Sequence, residues 1–220
     1  CKADISVYYA ITSNGKLVEF ATFGTALVGS EAMIHCRKGQ AFETFRVELK
    51  ETRNFKEASD KEIGTIYRDL LQEVVDRAAE QLLGQVLVRP LGDEDIIQVL
   101  SEESRAGKLM EAAIEAGERG LVKAIPQLVV LTKHSSAVIR LRAAAALGLL
   151  KTATPEVIRA LAGLTEGAKN EQVAVAVAAL SDIGGPKAIR YLSNIAVSHP
   201  DEVVRALARA GAEKIKAQAR

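Results

Sequence analysis

Hydrophobic residues follow two different periods along this chain. In residues 41–50, AFETFRVELK, they alternate with polar residues, which places Phe45, Val47 and Leu49 on one buried side of a strand. From about residue 60 onward they recur every three or four residues, which is the helical period. This change predicts an α+β N-terminal domain, with an antiparallel sheet and a long helix, followed by an all-α domain.

Residues 4–50 predict two pairs of strands. The first pair flanks Asn14-Gly15, a dipeptide that favours a type I′ hairpin turn because both central positions of that turn need positive φ. The second pair consists of AMIHC and residues 41–50, which are joined by the turn sequence RKGQ at residues 37–40. Together the two pairs predict an antiparallel sheet.

A long amphipathic helix is predicted after the strands. It begins near Ser59 or Asp60, which are N-cap residue types, has Glu62 in its first turn, and ends at Gly84. Its apolar stripe consists of Ile63, Ile66, Leu70, Leu71, Val74, Val75, Ala78, Leu82 and Leu83. We expect this helix to cross the sheet and complete a domain of residues 1–90. The break at Pro90-Leu91-Gly92-Asp93 marks residues 91–104 as a linker or short helix.

The C-terminal half repeats itself. Three helical segments superimpose at Ile125, Ile158 and Ile189, at intervals of 33 and 31 residues. Alanine-rich helical segments lie between them. Because a helix-turn-helix unit of this length buries its apolar face only against its neighbours, the pattern predicts an α-solenoid. We expect it over residues 105–220, as about three helix pairs and a closing helix, with Pro126 marking a late helix start or a kink.

The pattern VIRLRAAAALGLL, followed by TPEVIRAL, resembles the short bacterial HEAT repeats, including those named after phycobilisome lyases. The resemblance implies a helical-repeat fold and a surface that binds another protein, without identifying the partner. Tetratricopeptide repeats have a similar period, but their aromatic positions are not filled here, because Tyr191 is the only aromatic residue after Tyr67. The HEAT interpretation is therefore preferred.

Composition fits closely packed helices. Aromatic residues make up 4% of the chain and Trp is absent, so Ala, Leu, Val and Ile must form the interior. The net charge is +1, and neither half of the chain is basic, so the composition does not favour nucleic-acid binding. No apolar run approaches the roughly 18 to 20 residues that a membrane-spanning helix needs.

We predict no catalytic, metal or cofactor site. The histidines His35, His134 and His199 are not spaced as zinc ligands, and the last two fit solvated or capping positions in turns. His35 and Cys36 are neighbours on a strand, so their side chains point to opposite faces and cannot form a nucleophile–base pair. Glycine-rich phosphate loops, GxSxG and CxxC are absent, and we interpret the protein as non-enzymatic.

Several arginines recur in the repeats: Arg140, Arg142, Arg159, Arg190, Arg205 and Arg209. The HEAT resemblance implies that such arginines often satisfy carbonyl or carboxylate groups of the next repeat. The alternative hypothesis is that Arg159 and Arg190, which occupy equivalent positions, project from one surface and bind a partner, with Arg205 as a third contact.

Cysteine stands first in the chain, as in mature bacterial lipoproteins, which carry lipid on that residue. One interpretation is therefore an acylated Cys1; the competing one is an arbitrary cut of the chain. A disulfide between Cys1 and Cys36, formed in an oxidising compartment, is a further alternative. Because Lys2 and not aspartate follows the cysteine, analogy with enteric lipoproteins favours the outer membrane, where several acyl chains would anchor the protein stably.

The expected function combines these features. We expect a non-enzymatic envelope lipoprotein that acts as a protein-interaction scaffold in a secretion, pilus or motility machine. Its partners would be other envelope proteins, and the membrane would be reached through Cys1. A periplasmic carrier or chaperone that binds a lipid or another hydrophobic ligand between sheet and helix is the alternative, and a HEAT-type tetrapyrrole lyase is a third.

Overall fold

The computed structural model describes residues 2–12, 23–38, 41–56, 59–102, 105–165 and 170–218. The chain divides into two compact units, Cys1–Leu87 and Val88–Arg220. In the described residues, the first unit contains an antiparallel sheet and a long helix, and the second contains only helices. The predicted fold class, an α+β domain followed by an all-α helical repeat, is confirmed.

Three antiparallel strands form the sheet in the order β1-β2-β3. They are β1 (Lys2–Thr12), β2 (Phe23–Lys38) and β3 (Ala41–Lys56). Lys38 pairs with Ala41, so β2 and β3 are joined close to the predicted turn RKGQ, but the pairing is shifted from the Arg37–Gln40 pair that a turn at residues 37–40 would give. Residues 39–40 lie outside the described residues.

The register of β1 differs from the one that the sequence suggests. Thr12 pairs with Thr25. A two-residue turn at Asn14-Gly15 would place Thr12 opposite Leu17 instead, so that turn does not set the observed pairing. Asn14 and Gly15 themselves lie outside the described residues.

Helix α1 (Asp60–Val88) begins with a capping box. The Ser59 backbone N–H donates to Glu62 Oε2 at 2.7 Å, and the Glu62 N–H donates to Ser59 Oγ at 3.4 Å. The hydrogen bonds from Ser59 lower the pKa of the Glu62 carboxyl. The predicted start is therefore correct, but the helix continues through Gly84 to Val88.

The helix covers one face of the sheet. Ala78 and Leu82 pack with Phe45 and Val47, two members of the predicted buried strand face. Leu71 and Leu83 were predicted in the same stripe, yet they are 40% and 52% exposed. Each directly follows a buried leucine of the stripe, Leu70 or Leu82, and one helical residue rotates the side chain about 100° away from it.

The second unit contains eight further helices in its described residues. They are α2 (Asp93–Glu102), α3 (Ala106–Glu118), α4 (Ile125–Leu131), α5 (Ala137–Leu149), α6 (Pro155–Gly163), α7 (Asn170–Ile183), α8 (Gly185–Ser198) and α9 (Glu202–Gln218). A 3₁₀ turn, Val122–Ala124, precedes α4. Pro126 therefore lies at the first turn of α4, as one of the two sequence interpretations has it, because proline is tolerated there.

These helices form two layers. Helices α3, α5, α7 and α9 pack side by side, and we call them the odd layer; α2, α4, α6 and α8 follow one another in the same way and form the even layer. Each even helix also packs against the odd helix that follows it. The described residues thus form four helical hairpins, α2–α3, α4–α5, α6–α7 and α8–α9, which is the α-solenoid arrangement.

Helix α2 lies inside the segment predicted as a linker or short helix. It packs against α3. The described residues therefore contain four helix pairs instead of the expected three pairs and a closing helix. The buried residues of α2, Ile96 and Leu100, are four apart and belong to the core of the helical unit. The core is aliphatic, as the composition predicts.

Glycine and alanine bring the odd-layer helices close together. A β-carbon on Gly117 would lie 2.9 Å from the Cα of Ala146, and one on Gly148 would lie 3.0 Å from the Cα of Ala179. Gly211 likewise meets the side chain of Ser181. Backbone atoms occupy the space that larger side chains would need, so these contacts require small residues.

No helix in the described part of the chain is long and apolar enough to cross a membrane.

A cationic groove on the even layer

Two neighbouring helices of the even layer, α6 and α8, form a small groove. Its lining residues are Pro155, Ile158, Arg159, Lys187, Arg190 and Tyr191, and its volume is about 180 Å³. Arg159 and Arg190, predicted from the repeat to share one surface, line this groove together. We call it the cationic groove.

The repeat explains how these side chains come together. On α6, Ile158 is 3% exposed and anchors the helix, so that the next residue, Arg159, points away from the core. On α8, the fully buried Ala188 and Leu192 anchor the helix in the same way. Lys187, Arg190 and Tyr191 stand at positions i, i+3 and i+4, which share one face of a helix.

Among its described lining residues, the groove carries positive charge and no counter-charge. Its lining contains three cations and no carboxylate. Within the described residues, Arg159, Lys187 and Arg190 form neither an ion pair nor a hydrogen bond, and Tyr191 is 39% exposed. Guanidinium groups bind carboxylates in a bidentate manner, and the tyrosine adds an apolar ring with a hydroxyl group. The groove is therefore suited to bind an anion that is attached to an apolar group.

Sequence reasoning missed Lys187 and Tyr191 as parts of this surface. Their signal is present in the sequence, because both share a helical face with Arg190. The sequence does not show which faces of α6 and α8 meet. That depends on the packing of two helices at equivalent positions of successive repeats, 31 residues apart.

Arg205, the third predicted contact residue, does not line the groove. It lies near the start of α9, where its Nη1 donates to the carbonyl oxygens of His199 at 2.6 Å and Pro200 at 2.9 Å. Its guanidinium also pairs with Glu202. These contacts favour the other interpretation of the repeated arginines, in which they satisfy carbonyl and carboxylate groups. The groups that Arg205 contacts belong to its own repeat, however, and not to the next one. We therefore leave Arg205 out of the candidate surface.

The turn before α5 has the same construction. Arg140 Nη1 donates to the carbonyl oxygens of His134 at 2.7 Å and Ser135 at 2.8 Å. His134 Nδ1 accepts the backbone N–H of Ser136 at 3.0 Å, as His199 Nδ1 accepts that of Asp201 at 3.1 Å. Both histidines thus cap turns, as one of the sequence interpretations has it.

The other recurring arginines also lie outside the groove. Arg142 is exposed on α5, and Arg209 Nη2 donates to Glu202 Oε1 at 3.2 Å. His35 Nδ1 lies 2.9 Å from Thr44 Oγ1 in the sheet. In the described ranges, no three His, Cys, Asp or Glu side chains are grouped so as to hold a metal ion. Cys1, the predicted lipid attachment residue, lies outside the described residues.

A network of partly buried charges lies at the first hairpin. Arg89 Nε donates to Glu111 Oε1 at 2.6 Å, and Arg119 Nε donates to Glu115 Oε2 at 2.7 Å. Arg119 also donates to the carbonyl oxygens of Leu91 and Arg89. Burial raises the pKa of the Glu111 carboxyl, although the hydrogen bond from Arg89 acts in the opposite direction. This network ties the turn after α1 to α3 and leaves little of either carboxylate exposed.

The described interface between sheet and helix is filled with side chains. Phe45, Val47 and Leu82 are each less than 5% exposed, and Val28 packs with Leu70 and Val74 nearby. This is the region in which the alternative function, a carrier, would bind its hydrophobic ligand.

No protein-family model matches this chain, and no curated protein matches it. Among solved structures, it is similar to the complex of CpcE and CpcF of phycocyanin lyase from Nostoc sp. PCC7120, with 21% identity and a TM-score of 0.49. That alignment covers 63% of this chain and 58% of the other, so it spans less than two thirds of the matched chain. A computationally designed armadillo repeat protein for modular peptide recognition is 21% identical, with a TM-score of 0.46 and coverage of 65% and 76%.

Proposed function

We propose that this protein is a non-enzymatic interaction scaffold that binds an acidic segment of a partner protein in its cationic groove. The observation that carries the proposal is the placement of Arg159, Lys187 and Arg190 around one groove, where no described carboxylate pairs with them. Arginines that stabilise a fold are bonded to carbonyl or carboxylate groups, as Arg140 and Arg205 are. The groove cations instead bond to no described residue, which supports a role in binding a ligand.

The groove is suited to a protein segment and not to a long polyanion. Its volume is about 180 Å³, and among the described residues only three cations line it. Nucleic acids are bound through many phosphate contacts, which a chain of net charge +1 does not offer. A Glu or Asp side chain next to an apolar residue would use both the guanidinium groups and the ring of Tyr191.

Fluorescence anisotropy with a short labelled peptide rich in Asp, Glu and Leu tests the proposal. The wild-type chain should bind this peptide, with an affinity that falls as salt is added, and should not bind a peptide with Lys at the acidic positions. The double variant R159E/R190E should bind at least about tenfold more weakly, a change of about 1.4 kcal/mol.

A matched control is the double variant K133E/R142E, which changes the net charge equally at two exposed cations outside the groove. It should bind the acidic peptide like the wild type. Equal loss of binding in both variants would mean that net charge and not the groove is responsible, and equal binding by R159E/R190E and the wild type would refute the proposed site.

The wider setting, a multi-subunit envelope assembly with a lipid on Cys1, stays a prediction of the sequence analysis. Intact-mass measurement of the N-terminal peptide from native membranes tests the lipid. Copurification of other envelope proteins after detergent extraction, lost in R159E/R190E, would connect the groove to such an assembly.

A further inference from the structure

The first helix of the even layer carries the opposite charge. Leu91 and four residues of α2, namely Asp95, Gln98, Val99 and Glu102, line an open depression of about 530 Å³. We call this surface the acidic patch. Glu102 accepts a hydrogen bond from Gln98 at 3.0 Å, and neither Asp95 nor Glu102 pairs with a cation among the described residues.

The neighbouring acids of α2 are already used. Asp93 lies 3.5 Å from Arg119, and Glu94 accepts a hydrogen bond from Lys123 at 2.8 Å. The negative charge that remains for a ligand on this helix is therefore that of Asp95 and Glu102. The half-buried Leu91 and Val99 add apolar surface beside the two carboxylates.

We propose that the acidic patch of one copy docks into the cationic groove of a second copy. The proposal rests on the proposed function, because it names the occupant of the same groove. It follows from complementarity: the patch offers two carboxylates with aliphatic neighbours, and the groove offers three cations with an exposed tyrosine. Because the net charge of each copy is only +1, overall repulsion between two copies is small.

One copy cannot satisfy both surfaces by itself. Helix α4 lies between α2 and α6 in the even layer, so the patch and the groove of one chain are held apart by a packed helix. The two surfaces are also different, which makes the contact heterologous. Because each added copy leaves one free patch and one free groove, the contact generates an open chain unless its rotation closes a ring.

Sedimentation velocity of the full chain at low ionic strength tests this inference. The wild type should form species larger than a dimer as its concentration rises, and these should dissociate when salt is added, since the contact is electrostatic. The groove variant R159E/R190E and a patch variant, D95K/E102K, should each remain monomeric when measured alone.

Mixing the two variants gives the sharpest result. The patch variant keeps an intact groove, and the groove variant keeps an intact patch, so a mixture should contain one-to-one dimers and nothing larger. The neutral pairs R159Q/R190Q and D95N/E102Q, which do not place reversed charges on the helices, should behave in the same way. Circular dichroism of each variant establishes that its helices are retained.

Several outcomes would overturn the inference: a wild type that stays monomeric at low salt, self-association that persists in the patch variant, or a mixture that yields no dimer. If the acidic peptide binds to the groove while the wild type stays monomeric, only the self-docking inference fails and the proposed function stands. If the peptide does not bind either, both fail.

Discussion

The two layers of the helical unit are built differently, although they come from one repeat. Odd-layer helices have 13 to 17 residues and approach each other through Gly117, Gly148 and Gly211. Three of the four even-layer helices have only 7 to 10 residues, and this layer carries the charges of the groove and the patch, which pair with no opposite charge in the described ranges. The difference indicates that one layer mainly stabilises the fold and the other mainly presents surface.

Physical chemistry favours this separation. Close backbone approach increases dispersion contacts, but it leaves no room for longer side chains. Charged side chains need solvent or a partner, so they are found on exposed helix surfaces. Substitutions should therefore be destabilising where odd-layer helices meet and nearly neutral at the exposed charges of the even layer.

Glu111 of α3 should give the largest effect. Replacing it with alanine removes the carboxylate that Arg89 Nε contacts at 2.6 Å, and we expect the free energy of unfolding to fall by about 1 to 3 kcal/mol. Breaking a fully buried pair would have a larger effect, but Arg89 is 41% exposed and keeps Glu115 at 3.7 Å. Urea denaturation measures the change, and Glu213→Ala on the exposed side of α9 should stay within about 0.5 kcal/mol. Equal losses would contradict a special role for the network.

A β-carbon at Gly117 should have the next largest effect. In Gly117→Ala it would meet the backbone of Ala146, and we expect a loss of about 1 to 3 kcal/mol from overpacking. Gly163 is the matched even-layer position, because it also lies at the end of its helix but has no atom within 4 Å of an added β-carbon. Gly163→Ala should be neutral or stabilising by up to about 1 kcal/mol. A destabilised Gly163→Ala and a neutral Gly117→Ala would reverse the assignment of the layers.

Removing the arginines that cap the turns before α5 and α9 should lower the free energy of unfolding by a smaller amount. Arg205→Ala removes two hydrogen bonds to turn carbonyls, and we expect a loss of about 1 to 2 kcal/mol. Arg140→Ala should cost about as much, because its turn has the same construction. Arg209→Ala is the control in the same helix, since it removes only an exposed ion pair, which solvent screens, and should therefore change stability less. Thermal unfolding of the three variants would rank them, and a neutral Arg205→Ala would refute the capping role.

Replacing Glu111 with glutamine should slightly change how the free energy of unfolding depends on pH. Burial raises the pKa of its carboxyl above the ordinary value of 4.5, so the folded state holds this proton more tightly than the unfolded state does. Its contribution to stability is therefore greatest at low pH and falls as the pH rises through the range just above 4.5. The stability difference between wild type and Glu111→Gln should decline over that range. A difference that grows with pH would mean that Arg89 lowers the pKa instead.

Most of the fold follows from local patterns in the sequence. The alternation of Phe45 and Val47 predicts the buried strand face, and the phase of Ile125, Ile158 and Ile189 predicts the repeat. The break at Pro90-Leu91-Gly92-Asp93 predicts only a linker or short helix where α2 lies. The two buried side chains of α2 gain their partners only when α3 packs against it.

The candidate site was predictable only in part. Equivalent repeat positions place Arg159 and Arg190 on one surface, because a solenoid repeats its geometry as it repeats its sequence. The same reasoning fails for Arg205, since a residue type does not reveal whether its guanidinium turns toward a carbonyl or toward solvent. That choice depends on the local turn, here the turn from His199 to Asp201.

Substitutions in the cationic groove should have the smallest effect on the free energy of unfolding. They therefore give the clearest test of the difference between the two layers. Arg159→Gln together with Arg190→Gln removes two charges that bond to no described residue, so the free energy of unfolding should change by less than about 0.5 kcal/mol. Binding of the acidic peptide should nevertheless fall. Stability and binding, measured on the same sample, would then be independent in the even layer. A loss of stability comparable to that of Arg205→Ala would mean that these arginines also hold the fold together, and the distinction between a stabilising and a presenting layer would no longer hold.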